Sequence, residues 1–167
     1  GTSRGQVASV SPLTGYFADS NFGGDFTAML KKTGVDAVVI YGKAPSPVYL
    51  FLDGDTATIK DAKDLWGKST GETQALLVEK EGKGVESASI GPAGENGVLY
   101  ACVMGSGKRV SAAGRGGIGA VMGSKNFKAL VARGERTVEV ANLEALKAYL
   151  KARFPILRDN TKAFTKT

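Results

Sequence analysis

The sequence predicts an α+β fold with mixed or antiparallel β-sheets and short helices. Residues 47–59 indicate a hairpin, because an apolar run and an alternating run flank the turn sequence Asp53-Gly54-Asp55. Further along, strand-like runs alternate with helix signals, such as the capping-box pattern from Ser69 to Glu72. The chain has 167 residues, 43% of them hydrophobic, so it fits one domain with a true core.

Each remaining element is predicted from a local pattern. Apolar, β-branched runs indicate strands at residues 6–10, 36–41, 85–90, 98–104, 127–132 and 138–140. Amphipathic spacing and end signals indicate helices at residues 25–34, 61–66, 69–80, 118–122 and 142–153. Residues 11–24 are rich in turn formers and are predicted to be a long loop. Pro155 is predicted to interrupt the last helix.

The composition excludes several kinds of site. The chain has one cysteine, Cys102, and no histidine, so it cannot form an intrachain disulfide. It also cannot, alone, hold a zinc site or an iron–sulfur cluster, or form a Ser–His or Cys–His catalytic pair. The lack of disulfides favours a reducing compartment, and we expect a cytoplasmic protein.

The net charge of +6 comes from 22 basic and 16 acidic residues, but the basic residues are scattered and lack an aromatic stacking motif. We therefore expect a solvated surface and no nucleic-acid partner.

No apolar run approaches the length of a membrane span, and residues 1–11 lack the pattern of a signal peptide. We expect no membrane association.

The chain has 23 glycines, and two zones are dense in them, Gly15–Gly24 and Gly91–Gly123. Glycine permits close backbone approach to a ligand, so the two zones suggest two loops that converge on one site. Tight turns in a β-rich fold would explain them equally well, and both explanations stay open at this point.

Residues 114–119 satisfy the dinucleotide fingerprint G-x-G-x-x-G, with Glu135 at a suitable distance beyond. The fingerprint requires a buried strand before the first glycine, and the small, polar residues 109–113 do not provide one. Residues 123–125 have the wrong order for a P-loop. What remains is a glycine loop leading into a helix, whose free N–H groups favour anions and which Arg115 and Lys125 flank. The alternative is a glycine-dense packing turn.

The run AAGRGGIGAVMGSKNFKALV, residues 112–131, resembles the signature stretch of the tungsten-containing aldehyde:ferredoxin oxidoreductase family. Companion motifs follow the family's order. These are SPLTG at 11–15, NFGG at 21–24, residues 34–43, PVYL at 47–50, DA at 61–62, LWGK at 65–68 and SIGPAGEN at 89–96. The resemblance covers about residues 2–134.

The resemblance implies a cofactor of tungsten held by two pterins, each with a phosphate, above a β-rich amino-terminal domain. It implies that residues 1–140 form this cofactor-binding domain, and that residues 141–167 lead toward a helical domain. It places Arg4, Asn21, Gly23, Ser111 and Ala112 at cofactor-binding positions. It further implies magnesium, bound by main-chain oxygens of Asn21 and Ala112, between the pterin phosphates.

Residues 105–114 depart from the family pattern, because this stretch is two residues longer and Ser111 stands where the family has arginine. Arg109 is interpreted as the displaced equivalent.

The resemblance also implies a reaction, in which an aldehyde becomes a carboxylic acid and electrons leave through a [4Fe–4S] cluster to ferredoxin. The cluster ligands and catalytic residues of the family lie downstream, so we predict no catalytic residue here and no activity for this chain alone. A homodimer is left open. Two alternatives are also open: a non-catalytic anion- or nucleotide-binding module, and an aryl-CoA reductase-type member of the same family.

Overall fold

The computed structural model describes residues 4–108 and 110–161. The chain divides into two compact units, Gly1–Arg136 and Thr137–Thr167. The first unit contains two β-sheets and four helices among the described residues. No helix of the described part of the chain combines the length and apolar character that a membrane span requires.

The first unit confirms the α+β prediction. Its strands are β1 (Gly5–Val10), β2 (Phe17–Phe22), β3 (Val48–Asp53), β4 (Thr56–Asp61), β5 (Glu86–Ser89), β6 (Val103–Gly105), β7 (Ser111–Ala113) and β8 (Phe127–Arg133). Its helices are α1 (Asp25–Lys32), α2 (Thr70–Glu81), α3 (Pro92–Glu95) and α4 (Ile118–Ser124). Strands β1 and β2 form a separate antiparallel hairpin. The other six form a mixed sheet in the order β4-β3-β8-β5-β6-β7, in which only the β3–β8 pair is parallel.

The core lies on both faces of the six-stranded sheet, because successive residues of β8 point to opposite sides. One cluster joins Ala132 to Phe22 of the hairpin and Phe26 of α1, whose rings stack with centroids 6.0 Å apart. The other cluster joins Val131 to Leu77 of α2. Hairpin, α1 and α4 therefore cover one face, and α2 covers the other.

Two predicted elements form for the reasons that the sequence indicates. The Ser69 side chain accepts a hydrogen bond from the Glu72 N–H, and the Glu72 side chain accepts one from the Ser69 N–H, which completes the capping box of α2. The β3–β4 hairpin turns at Gly54 and pairs Asp53 with Thr56.

The predicted loop at residues 11–24 is wrong in part, because β2 lies within it. Residues 18–21 are unfavourable for strands in isolation, but β2 pairs along its whole length with β1 and buries Ser20 and Phe22. The true loop is the short turn between the strands, where the Ser11 N–H donates to the Tyr16 carbonyl at 2.8 Å.

Residues 36–41 do not form the predicted buried strand. They lie between α1 and β3 without regular structure, and Val39 and Tyr41 are 69% and 88% exposed. Among the described residues, no strand pairs with this segment, and an apolar run becomes a strand only where a neighbour supplies hydrogen bonds.

Three further predictions need correction. The predicted helix at residues 61–66 does not form, because Asp61 ends β4 and the following residues form a turn in which the Leu65 N–H donates to the Ala62 carbonyl. Of residues 98–104, only 103–104 belong to a strand, since Val98 and Ala101 form turn hydrogen bonds. Residues 138–140 have no strand.

The second unit contains α5 (Leu143–Thr161). The Asn142 side chain accepts a hydrogen bond from the Ala145 N–H at 2.9 Å, which confirms the predicted cap. Pro155 does not end the helix, which continues to Thr161. A single proline removes one intrahelical hydrogen bond, and the turns on each side carry the helix past it.

Candidate functional site

A concave region of about 550 Å³ lies where β2 meets the segment that joins β7 to α4. Its lining residues come from two parts of the chain, and they are Asp19, Ser20, Asn21, Ala112, Gly114 and Arg115. Two segments far apart in sequence thus share one concave surface.

Strand alternation in β2 determines which side chains face this region. Asp19 and Asn21 are on the exposed face of the hairpin, whereas Ser20 and Phe22 are buried. Across the hairpin, Gln6 pairs with Asn21, and its amide donates to the Asp19 carboxylate at 2.6 Å. The exposed face of the hairpin therefore presents a row of polar groups to the concave region.

Two hydrogen bonds fasten the two segments together. The Gly23 N–H donates to the Ser111 hydroxyl at 2.9 Å, and the Arg115 N–H donates to the Ser20 hydroxyl at 3.1 Å. Both serine oxygens hold backbone of the opposite segment, so the shape of the region depends on hydroxyls at these two positions.

The structure brings together four of the six residues predicted as site residues. Asn21 and Ala112 line the concave region, and Gly23 and Ser111 are bonded to each other. Arg4 is exposed and directly precedes β1, next to the paired residues Gly5 and Phe22. Arg109 lies outside the described residues. The cofactor and magnesium roles assigned to these residues stay predictions.

Sequence reasoning missed Asp19, Ser20 and Gly114 as lining residues. The first two were hidden because residues 11–24 were interpreted as a loop. In a loop the two-residue spacing of Asp19 and Asn21 has no meaning, whereas in a strand it places both side chains on one face.

The glycine run does not open into an anion site at the start of α4. Residues 117–120 are buried, and the Gly119 N–H donates to the Ala101 carbonyl at 2.9 Å. Gly117 has a φ of 66°, and a Cβ there would collide with the Leu99 carbonyl oxygen. For this part of the run the packing explanation is right, and the residues of the run that line the concave region are Ala112, Gly114 and Arg115.

The electrostatics of the region suit an anionic group with a hard cation. The exposed Arg115 guanidinium has no hydrogen-bonded or ion-paired partner among the residues that the structure describes. Carbonyl, amide and carboxylate oxygens, which lie on Ala112, Asn21 and Asp19, are the ligand types that magnesium takes.

The described residues contain no group of three or more His, Cys, Asp or Glu side chains placed to hold a metal ion. A cation here would therefore depend on carbonyl oxygens and on oxygens of its ligand. The composition of this concave region is chemically compatible with phosphates bridged by a cation.

Residues 1–134 match the family model described as aldehyde ferredoxin oxidoreductase, N-terminal domain. The chain is 49% identical over 161 residues to a tungsten-containing aldehyde ferredoxin oxidoreductase of Pyrococcus horikoshii, covering 96% of this chain and 26% of that relative. It is 56% identical over 140 residues to the protein of the same name from Pyrococcus abyssi, covering 83% of this chain and 23% of that relative. The chain thus spans about a quarter of the length of these relatives.

Among solved structures, the chain is similar to one in the active site complex BamBC of benzoyl coenzyme A reductase, in complex with 1,5-dienoyl-CoA. The TM-score is 0.81 at 39% identity, and the match covers 91% of this chain and 24% of that one.

Proposed function

This chain belongs to the aldehyde ferredoxin oxidoreductase family, and from that premise we propose that it forms one wall of a tungstopterin site in a longer oxidoreductase. The observation that carries the proposal is the concave region in which Asn21, Ala112 and Arg115 lie together. When bound, the cofactor supplies the two-electron redox chemistry, and the residues of this chain bind and orient it.

In this proposal each site residue has a stated task. The main-chain oxygens of Asn21 and Ala112 bind magnesium, which neutralises the pterin phosphates. Arg115 adds a guanidinium that pairs with phosphate oxygens. Ser111 acts through Gly23, whose backbone it holds at 2.9 Å, so that the Gly23 backbone lies against the pterin.

Arg4 and Arg109 complete the proposed set as cationic groups facing the cofactor. Arg4 directly precedes β1, the hairpin strand that carries Gln6, and we propose that its guanidinium contacts the cofactor. Arg109 takes the part of the arginine that Ser111 replaces.

We propose that the longer protein converts an aldehyde and water to a carboxylic acid, two protons and two electrons. The electrons leave through a [4Fe–4S] cluster to ferredoxin. Because this chain has a single cysteine, it cannot supply the ligands of such a cluster by itself, and we propose that they come from outside it. The chain alone is proposed to be inactive. Residues 141–167 are proposed to lead into the next domain, and the enzyme is proposed to be cytoplasmic.

Gly114→Leu in the longer protein tests the proposed wall. A Cβ at Gly114 meets nothing within 4 Å, so a leucine there projects into the open concave region without disturbing the fold. The matched control is Gly71→Leu, in α2, where a Cβ also meets nothing within 4 Å.

After anaerobic purification, we expect tungsten and pterin in the parent protein and the control, and severalfold less in Gly114→Leu. Equal loading of both variants would refute the wall. Absence of both tungsten and pterin from the parent protein would instead favour an anion-binding module.

A second candidate is an aryl-CoA reductase, which the similarity to the benzoyl coenzyme A reductase complex favours. The wall described here would serve either reaction, because it contacts the cofactor and not the substrate. Dye-linked assays of the longer protein with an aldehyde and with an aryl-CoA thioester distinguish the two.

A further inference from the structure

The buried ion pair of Lys128 and Glu95 lies outside the concave region. Lys128 is on β8 with its side chain fully buried, and the Glu95 side chain is 3% exposed. The Lys128 ammonium donates to Glu95 and to the Lys68 carbonyl, at 2.8 Å for the latter. The other Glu95 oxygen accepts the Gly67 N–H at 2.7 Å. The pair therefore ties helix α3 to β8 and to the turn before α2.

This network joins three motifs that the cofactor wall leaves unexplained. Residues 65–68, 89–96 and 127–128 belong to the stretches that carry the family resemblance, yet they contribute no lining residue to the concave region. A buried ion pair is costly to desolvate and is a weak source of stability by itself. Its placement at this junction therefore points to a role in fixing geometry.

Helix α3 transmits its position to α4 because the two helices pack without side chains between them. A Cβ at Gly94 would lie 2.7 Å from the Gly119 carbonyl oxygen. A Cβ at Gly123 would collide with the Gly94 carbonyl. Because the two backbones are in direct contact, we expect a shift of α3 to displace α4, since close-packed interiors transmit strain.

Helix α4 directly continues the glycine run that supplies Gly114 and Arg115 to the concave region. Only Gly116 and Gly117 separate Arg115 from the first residue of α4. A Cβ at Gly116 would lie 2.7 Å from the Ala18 Cβ, so the connection between Arg115 and α4 packs tightly against the hairpin. The positions of Gly114 and Arg115 in the concave region therefore depend on the position of α4.

We propose that the Lys128–Glu95 ion pair is a positioning element that holds α3, and through α4 the Gly114–Arg115 wall, in the geometry that receives the cofactor. The part of this proposal that concerns cofactor binding at Gly114 and Arg115 rests on the proposed function. The positional coupling from the ion pair to the wall does not, so the two can be tested separately.

Hydrogen exchange by NMR tests the coupling in this 17.3 kDa chain. The variant is Glu95→Gln, which removes the charge and keeps the size of the side chain and one acceptor oxygen. The control is Asp53→Asn, which breaks the ion pair of β3 with Arg133 of β8, where Arg133 Nε lies 2.9 Å from Asp53 Oδ1. The reporting amides are Arg115 and Gly119, and the reference amides are those of the β3–β4 ladder.

We expect Glu95→Gln to raise exchange at Arg115 and Gly119 by about tenfold more than at the reference amides, as local opening does. Asp53→Asn should leave the two reporting amides unchanged. Equal acceleration at all sites, or none at the reporting amides, would overturn the coupling and leave the pair a purely stabilising contact.

The effect of the ion pair on cofactor binding is tested by measuring the tungsten and pterin content of the longer protein. Glu95→Gln should lower both severalfold while elution volume and helix content stay those of the parent, and Asp53→Asn should lower neither. Full loading of Glu95→Gln would overturn the positioning role. If the parent protein itself carries no pterin, the proposed function fails, and the exchange experiment alone decides the coupling.

Discussion

Replacing Glu95 by glutamine should destabilise this chain strongly, because the Lys128 ammonium would stay fully buried without a counter-ion. Breaking a buried ion pair at one partner costs about 3–5 kcal/mol. Glutamine keeps one acceptor oxygen, which can serve either Lys128 or the Gly67 N–H but not both, so part of the network survives and we expect the lower end, about 3 kcal/mol. For a chain of this length this loss corresponds to a fall in Tm of about 6–12 °C.

The loss of stability in Glu95→Gln should depend on pH, because Lys128 is a buried titratable group. Burial lowers the pKa of Lys128, and hydrogen bonding and attraction from Glu95 oppose that change. Without the carboxylate, the pKa falls further below its unfolded value of about 10.4. Between the two values the unfolded chain binds more protons, so stability rises with pH. The deficit of the variant should therefore shrink as the pH rises from about 7 to about 10.

Thermal denaturation followed by circular dichroism over this pH range measures the effect. Glu144→Gln is the matched control, since Glu144 and Lys147 form an ion pair in which both side chains are more than half exposed, and an exposed pair contributes little. A deficit of Glu95→Gln that is constant with pH, or no larger than that of the control, would refute the reasoning.

Three further predictions follow from single contacts. Ser69→Ala removes the capping box of α2 and should cost about 1 kcal/mol in urea denaturation, whereas Ser69→Thr should cost less. Gly117→Ala should lower Tm more than Gly114→Ala, because only the former has a positive φ and a collision with Leu99; equal effects would contradict this. Burial and hydrogen bonding to Glu81 raise the pKa of Tyr49 well above its usual value, so the free energy of unfolding should fall above a pH of about 10. Tyr49 should then ionise only when the chain unfolds, which absorbance at 295 nm measures.

The sequence predicts elements well where the signal is local. The capping box at Ser69 and Glu72 and the turn at Gly54 involve neighbours in the chain, and both form as predicted. The cap of α5 at Asn142 is local too, and its hydrogen bond is present.

Prediction from the sequence fails where pairing between strands determines the secondary structure. Asp19, Ser20 and Asn21 have low strand propensity, and only the register with β1 makes them part of β2. Val39 and Tyr41 have high strand propensity, but no strand of the described residues pairs with them. Strand patterns in the sequence therefore do not predict Asp19 and Ser20 as lining residues, whereas the family resemblance does predict Asn21.

The glycine run shows the same limit within one motif. Its composition favours an anion loop and a packing turn equally, and only the positions of Leu99, Ala101 and Gly94 distinguish them. The resemblance to a family predicts that the run is part of a cofactor site. It did not indicate that most of its glycines pack helices, while Gly114 and Arg115 face the concave region.

Anomalous diffraction at a tungsten absorption edge, on crystals of the longer protein purified anaerobically, tests the central claim most directly. We expect tungsten over the concave region, with a cation bound to the main-chain oxygens of Asn21 and Ala112 and phosphate density beside Arg115. Tungsten bound elsewhere, with the concave region covered by polypeptide alone, would contradict the account.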